Sequence, residues 1–86
     1  MYIDCGMMIT ASYEIWCTDP VQCIDRFDTR EEAEDEMEYF AKVGVLYDEF
    51  LGVEYNCDNF IVICPGENLE DYEFIRKEEE RIRGRL

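Results

Sequence analysis

The sequence predicts an α+β fold, a small antiparallel sheet of about four strands with two helices in the order β-β-α-β-β-α. Three observations carry this. Alternation of apolar and polar residues from Met8 to Thr18 and again from Gln22 to Phe27 brackets the turn signal Thr18-Asp19-Pro20. A capped helical stretch lies between Asp28 and Gly44. The most hydrophobic run, Phe60 to Cys64, is closed by Pro65-Gly66 and followed by a second helical stripe.

The elements follow in order. Met1 to Gly6 is a short leader without a pattern. In the first strand Ile9, Ala11, Tyr13, Ile15 and Cys17 share one face. Thr10, Ser12, Glu14, Trp16 and Thr18 share the other, where Trp16 is expected to pack at an edge. Gln22 to Phe27 forms a hairpin with it. Thr29 and Glu32 have capping-box spacing at the start of the first helix. Ala33, Met37, Phe40 and Ala41 recur on its apolar side, and Gly44 is placed to end it with a left-handed cap. Val45 to Leu51 fits either a helical turn or an irregular strand. Val53 to Cys57 reads as a strand, Asp58-Asn59 as a turn, and Phe60 to Cys64 as a strand buried on both faces at the centre of the sheet. Asn68 is then an N-cap, with Leu69, Tyr72, Ile75, Ile82 and Leu86 on one stripe and Glu73–Lys77 and Glu79–Arg83 as i,i+4 pairs. Both helices are expected on one face of the sheet, within a single domain spanning 1–86.

Composition narrows the function. Of 86 residues, 22 are acidic and 8 basic, a formal charge of −14. Residues 1–75 carry nineteen acids and three bases, whereas 76–86 carry three acids and five bases. Such a field repels nucleic acid and anionic membranes and attracts basic protein surfaces. The first apolar run is too interrupted for a signal peptide, and no run is long enough to span a membrane. The five cysteines lack C-x-x-C spacing and the chain has no histidine, so reduced, packed thiols are expected and no cofactor or metal is implied. Ser12 is the only serine and has no histidine to activate it, there is no phosphate-binding glycine loop, and an enzyme is not expected.

What remains is a surface. Glu31, Glu32, Glu34, Asp35, Glu36 and Glu38 place six carboxylates in eight residues of the first helix. Like charges at i,i+4 oppose helix formation, so stability alone does not select this face. Carboxylates on successive turns, about 5–6 Å apart, match lysines and arginines that otherwise hold a phosphate backbone. Glu31, Glu34, Asp35 and Glu38 form the leading stripe, and Glu32, Glu36 and Tyr39 a flank. Asp48, Glu49, Glu54 and Asp58 extend the patch if the following loop lies alongside.

Small size, acid excess, reduced cysteines and the helix TREEAEDEMEYF together resemble small phage-encoded inhibitors of bacterial defence, the anti-CRISPR and anti-restriction proteins that mimic DNA. The resemblance is one of type, without a shared motif. It implies a basic nucleic-acid-binding groove of a nuclease complex as the partner, blocked sterically and electrostatically, in the cytoplasm of a bacterial host. The basic run Arg76 to Arg85 departs from a uniform mimic and is a candidate second contact or homodimer interface. Two alternatives stand beside this one: an antitoxin or immunity protein for a cationic toxin, and an oligomerising module whose acids merely face solvent.

Overall fold

The computed structural model of the chain describes residues 9–84; the leader with Cys5, Met8 at the expected start of the first strand, Arg85 and Leu86 lie outside them. The α+β class holds, with five strands in two antiparallel sheets among the described residues. Strands β1 (Tyr13–Thr18), β2 (Val21–Phe27) and β5 (Phe60–Ile63) form one sheet in the order β2-β1-β5. Strands β3 (Val45–Asp48) and β4 (Val53–Asn56) form a separate hairpin, which resolves the ambiguous stretch after Gly44 as strand. The helices are α1 (Arg30–Val43) and α2 (Glu73–Arg83).

β1, rather than the more apolar β5, is central. It pairs β2 on one side and β5 on the other, with Ile15 opposite Asp25 and Val62. Hydrophobicity alone does not locate a strand in the sheet; β5 lies at an edge but is covered on both faces, with Phe60 and Ile63 both buried. β1 is also shorter than its alternating pattern, because Thr10 turns away to the far end of the chain. The Thr10 hydroxyl donates to the Cys64 carbonyl at 2.6 Å, its N–H donates to Glu67 O at 2.9 Å, and Ile9 bridges Asn68.

The helices pack on opposite faces of the three-stranded sheet, not on one. Ile15, Cys17 and Phe60 join Phe40 of α1 and Tyr55 and Cys57 in one core cluster. The Phe40 and Phe60 rings meet edge to face with centroids 5.1 Å apart. Trp16 points the other way, its ring 6.4 Å from Phe74 of α2. The alternating strand therefore has no solvent face, and Trp16 is an inner-layer residue on the central strand. In β2, Ile24 has no cross-strand partner, since Ile15 opposes Asp25 while Trp16 opposes Cys23. This bulge lets Ile24 and Phe27, an odd number of residues apart, both pack on the α1 cluster.

Asn68 caps a 3₁₀ turn over Leu69–Asp71, accepting Glu70 N–H at 2.9 Å, and α2 itself starts at Tyr72 without a side-chain cap. Among the described residues its ion pairs are Glu73–Lys77 at 3.2 Å and Glu78–Arg81 at 2.6 Å, so Arg83 is not paired with Glu79 as expected. Ile75 is buried within the fold, while Ile82, on the same stripe, is exposed. Among the described residues, no helix is long and apolar enough to cross a membrane.

Candidate interaction surface

The acidic helix is built as its residues dictate. Glu32 N–H donates to Thr29 Oγ1 and Thr29 N–H donates to Glu32 Oε1, both at 3.2 Å, completing the capping box. At the other end Gly44 adopts φ 84°, a left-handed conformation that L side chains resist, and its N–H donates to Phe40 O at 2.9 Å. Between these caps Ala33 and Phe40 are buried and Met37 is half-buried. Ala41 is exposed: one residue past Phe40, it is rotated about 100° off the buried line.

Glu31, Glu34, Asp35 and Glu38 are all exposed on the side opposite Ala33 and Phe40, at i, i+3, i+4 and i+7. The stripe ends in a cation, for Lys42 Nζ lies 3.8 Å from Glu38 Oε1. Glu32 is exposed, but its carboxylate is already held in the cap. Glu36 is half-buried, and Tyr39 is exposed on the flank it shares with Glu32 and Val43. The stripe is thus a two-turn array of exposed carboxylates rather than an all-round acidic surface.

The second group of expected residues stands on a different element. Asp48 is half-buried, and its Oδ1 accepts the N–H groups of Phe50 at 2.9 Å and Leu51 at 3.1 Å. It shapes the β3–β4 turn. Glu49, Glu54 and Asp58 are exposed around that hairpin. No basic residue occurs from 43 to 75, against eight acids.

Two features escape a reading of charge alone. Glu14, expected on a polar face, is buried; its Oε1 accepts the Trp16 indole N–H at 2.7 Å and its Oε2 accepts Arg26 Nε at 3.3 Å. Its spacing of two from Trp16 on one strand was the available signal. The other feature is apolar exposure. Of eight exposed large hydrophobics among the described residues, six (Tyr39, Val43, Val45, Tyr47, Phe50 and Leu51) fall within residues 39–51. The Phe-Leu pair between acids and Gly52 is a turn signal that carries this information.

Among the described residues the four thiols are packing groups. Cys17 and Cys57 are buried in the α1 cluster, Cys23 and Cys64 are half-buried, and all four are free. Burial pushes the Cys17, Cys23 and Cys57 thiols up, which disfavours the reactive thiolate. Among the described residues no three histidine, cysteine or carboxylate side chains converge as metal ligands. Comparison with family models, curated sequences and solved structures finds no match.

Proposed function

We propose that this protein is an inhibitor that occupies a basic nucleic-acid-binding surface on a partner protein, presenting the α1 carboxylates where phosphates would lie, in the manner of the DNA-mimicking anti-CRISPR and anti-restriction proteins. One observation carries the reading. Glu31, Glu34, Asp35 and Glu38 stand exposed in a single row on a helix capped at both ends, so repelling charges are held at fixed spacing and remain open to an outside cation. Among the described residues, Glu38 is the member of the row that has an ion-pair partner on its own chain. Such a row offers bidentate contacts to arginine and single charge-assisted contacts to lysine, on a helix whose backbone is ordered before binding.

The test uses the wild type and the Glu34→Lys, Asp35→Lys, Glu38→Lys variant as baits in bacterial lysate at low and high salt. Retention of a nucleic-acid-binding complex by the wild type alone, weakening as salt rises, supports the proposal. Identical lanes remove α1 as the contact. An antitoxin or immunity protein for a cationic toxin shares these electrostatics and predicts one dedicated partner in the same experiment. Self-association through α2 is the third reading. It rests on exposed Ile82 with Arg81 and Arg83, since Ile75 is already covered by the chain's own core.

A further inference from the structure

We infer that the β3–β4 hairpin is an apolar arm of the partner-binding surface, which presses Phe50 and Leu51 onto a protein face that is itself apolar and rimmed with lysine and arginine. The inference rests on the reading of α1 as a polyanion for a basic partner, and it adds the chemistry that a row of charges lacks.

Phe50 is 100% exposed and Leu51 62%, at the tip of a turn that holds them outward. The turn is held by its own hydrogen bonds. Asp48 Oδ1 accepts both of their N–H groups, Gly52 N–H donates to Asp48 O at 2.8 Å, and Gly52 sits at φ 65°. An aromatic ring displayed on a fixed turn is costly in water and already ordered for burial against another surface, the two properties of a binding anchor. Tyr47, 56% exposed, stands on β3 just before the turn and pairs across the strands with Glu54. Behind the tip, a groove of about 390 Å³ is lined by Leu46, Tyr47, Phe50 and Tyr55 together with Cys23 and Ile24 of β2.

Charge selects the occupant. Glu49, Glu54 and Asp58 are exposed around the hairpin, with no base between 43 and 75. A second copy docking through the same hairpin would set Glu49, Glu54 and Asp58 against themselves, and two molecules of net charge −14 repel overall, which opposes that pairing; a copy offering its basic α2 end instead is the outcome that the dimer measurement below detects. A cationic partner with an apolar face satisfies both the ring and the carboxylates.

The experiment compares two peptides of equal length and charge, one of lysine and leucine with an apolar helical face, the other of lysine and serine. Each is titrated against the wild type, the Phe50→Ser, Leu51→Ser variant, and the triple lysine variant of α1. Neither tip side chain supports the fold, and the turn is held by backbone groups and Asp48, so the tip variant stays folded. The wild type is expected to prefer the leucine peptide by about tenfold or more, and the tip variant to lose that preference while keeping its affinity for the serine peptide. Equal binding of both peptides by the wild type, or a leucine preference that survives in the tip variant, overturns the inference and leaves the α1 reading standing. Unchanged affinity for the serine peptide in the triple variant removes the α1 reading and, with it, the ground of this inference. A wild-type dimer that the tip variant dissolves overturns it in favour of a second copy.

Discussion

The Trp16 indole donates its N–H to the buried Glu14 carboxylate at 2.7 Å, along the face of the central strand that meets α2. Arg26 from β2 reaches the other oxygen of the same carboxylate at 3.3 Å, and Trp16 stacks at a tilt against Phe74. One acid in an acid-rich chain is thereby used inside the protein. Arg26, itself mostly exposed, and an indole dipole stabilise a carboxylate that is 9% exposed in its side chain.

Removing Glu14 is therefore expected to cost more stability than removing any carboxylate of the α1 stripe. Glu14→Ala leaves the Trp16 N–H without its acceptor and is expected to lose about 2–3 kcal/mol, read from the urea midpoint. Glu14→Gln keeps an acceptor oxygen for the indole and is expected to lose about half as much. Equal effects of Glu14→Ala and Glu34→Ala would show the network to be incidental.

The α1 face is expected to behave oppositely. Asp35→Lys places a lysine four residues after Glu31 and turns a repulsive pair into an attractive one, whereas Glu34→Lys gains the same toward Glu38 but loses the attraction between Glu34 and Arg30, four residues earlier. Asp35→Lys is expected to raise stability by about 0.3–0.5 kcal/mol at low salt, a gain that shrinks as salt screens it, and Glu34→Lys to be close to neutral. Thermal melts at two ionic strengths check this. Stabilisation combined with lost partner binding would mark the acids as kept for function at a cost to the fold.

The capping box gives an independent check on that helix. Thr29→Ala removes the hydroxyl that accepts Glu32 N–H and donates to Glu32 Oε1, and leaves only the backbone N–H of residue 29 to hold the Glu32 carboxylate. A loss of about 1 kcal/mol is expected in denaturant titration.

How much of this was legible in the sequence depends on whether the signal was local. Thr29, Glu32 and Gly44 announced both ends of α1, and the exposed row Glu31, Glu34, Asp35 and Glu38 followed from periodicity alone. Strand order was not local. β5 is the most apolar run, yet β1 became central because pairing on both edges, not apolarity, defines the centre. The same reason hid the two-sided burial of β1: Trp16 lies among polar residues in its alternation, and only the return of α2 supplies Phe74 above it. Asp48 read as part of a charged patch because a sequence does not say which carboxylate is consumed by its own turn.

Raised thiol and phenol pKa values set an alkaline limit on stability. Burial raises Cys17, Cys23 and Cys57 above the ordinary 9.0. The Glu67 carboxylate that accepts the Tyr72 hydroxyl, together with burial, pushes Tyr72 from 10.0 up to about 12. Each group keeps its proton longer in the folded state than in the unfolded chain. Their contribution is whole below pH 9, and it falls as the unfolded thiols and then the unfolded phenol ionise. Urea midpoints are expected to decline between pH 9 and 12, and Tyr72→Phe to flatten the upper part of that decline.

The hairpin tip separates a displayed side chain from the turn that displays it. Phe50 is fully exposed, so Phe50→Ala is expected to leave the urea midpoint within about 0.5 kcal/mol of the wild type. Asp48→Ala removes the acceptor for Phe50 and Leu51 N–H and is expected to lose about 1 kcal/mol. Gly52→Ala meets no steric obstruction, yet at φ 65° it forces an L residue into the left-handed region and is expected to lose a similar amount. Asp48 and Gly52 hold the turn whatever stands at its tip, so loss of the ring without loss of stability is the result that the contact proposed above requires. Should Phe50→Ala destabilise the fold as much as Asp48→Ala, the ring is packed in solution and that argument fails.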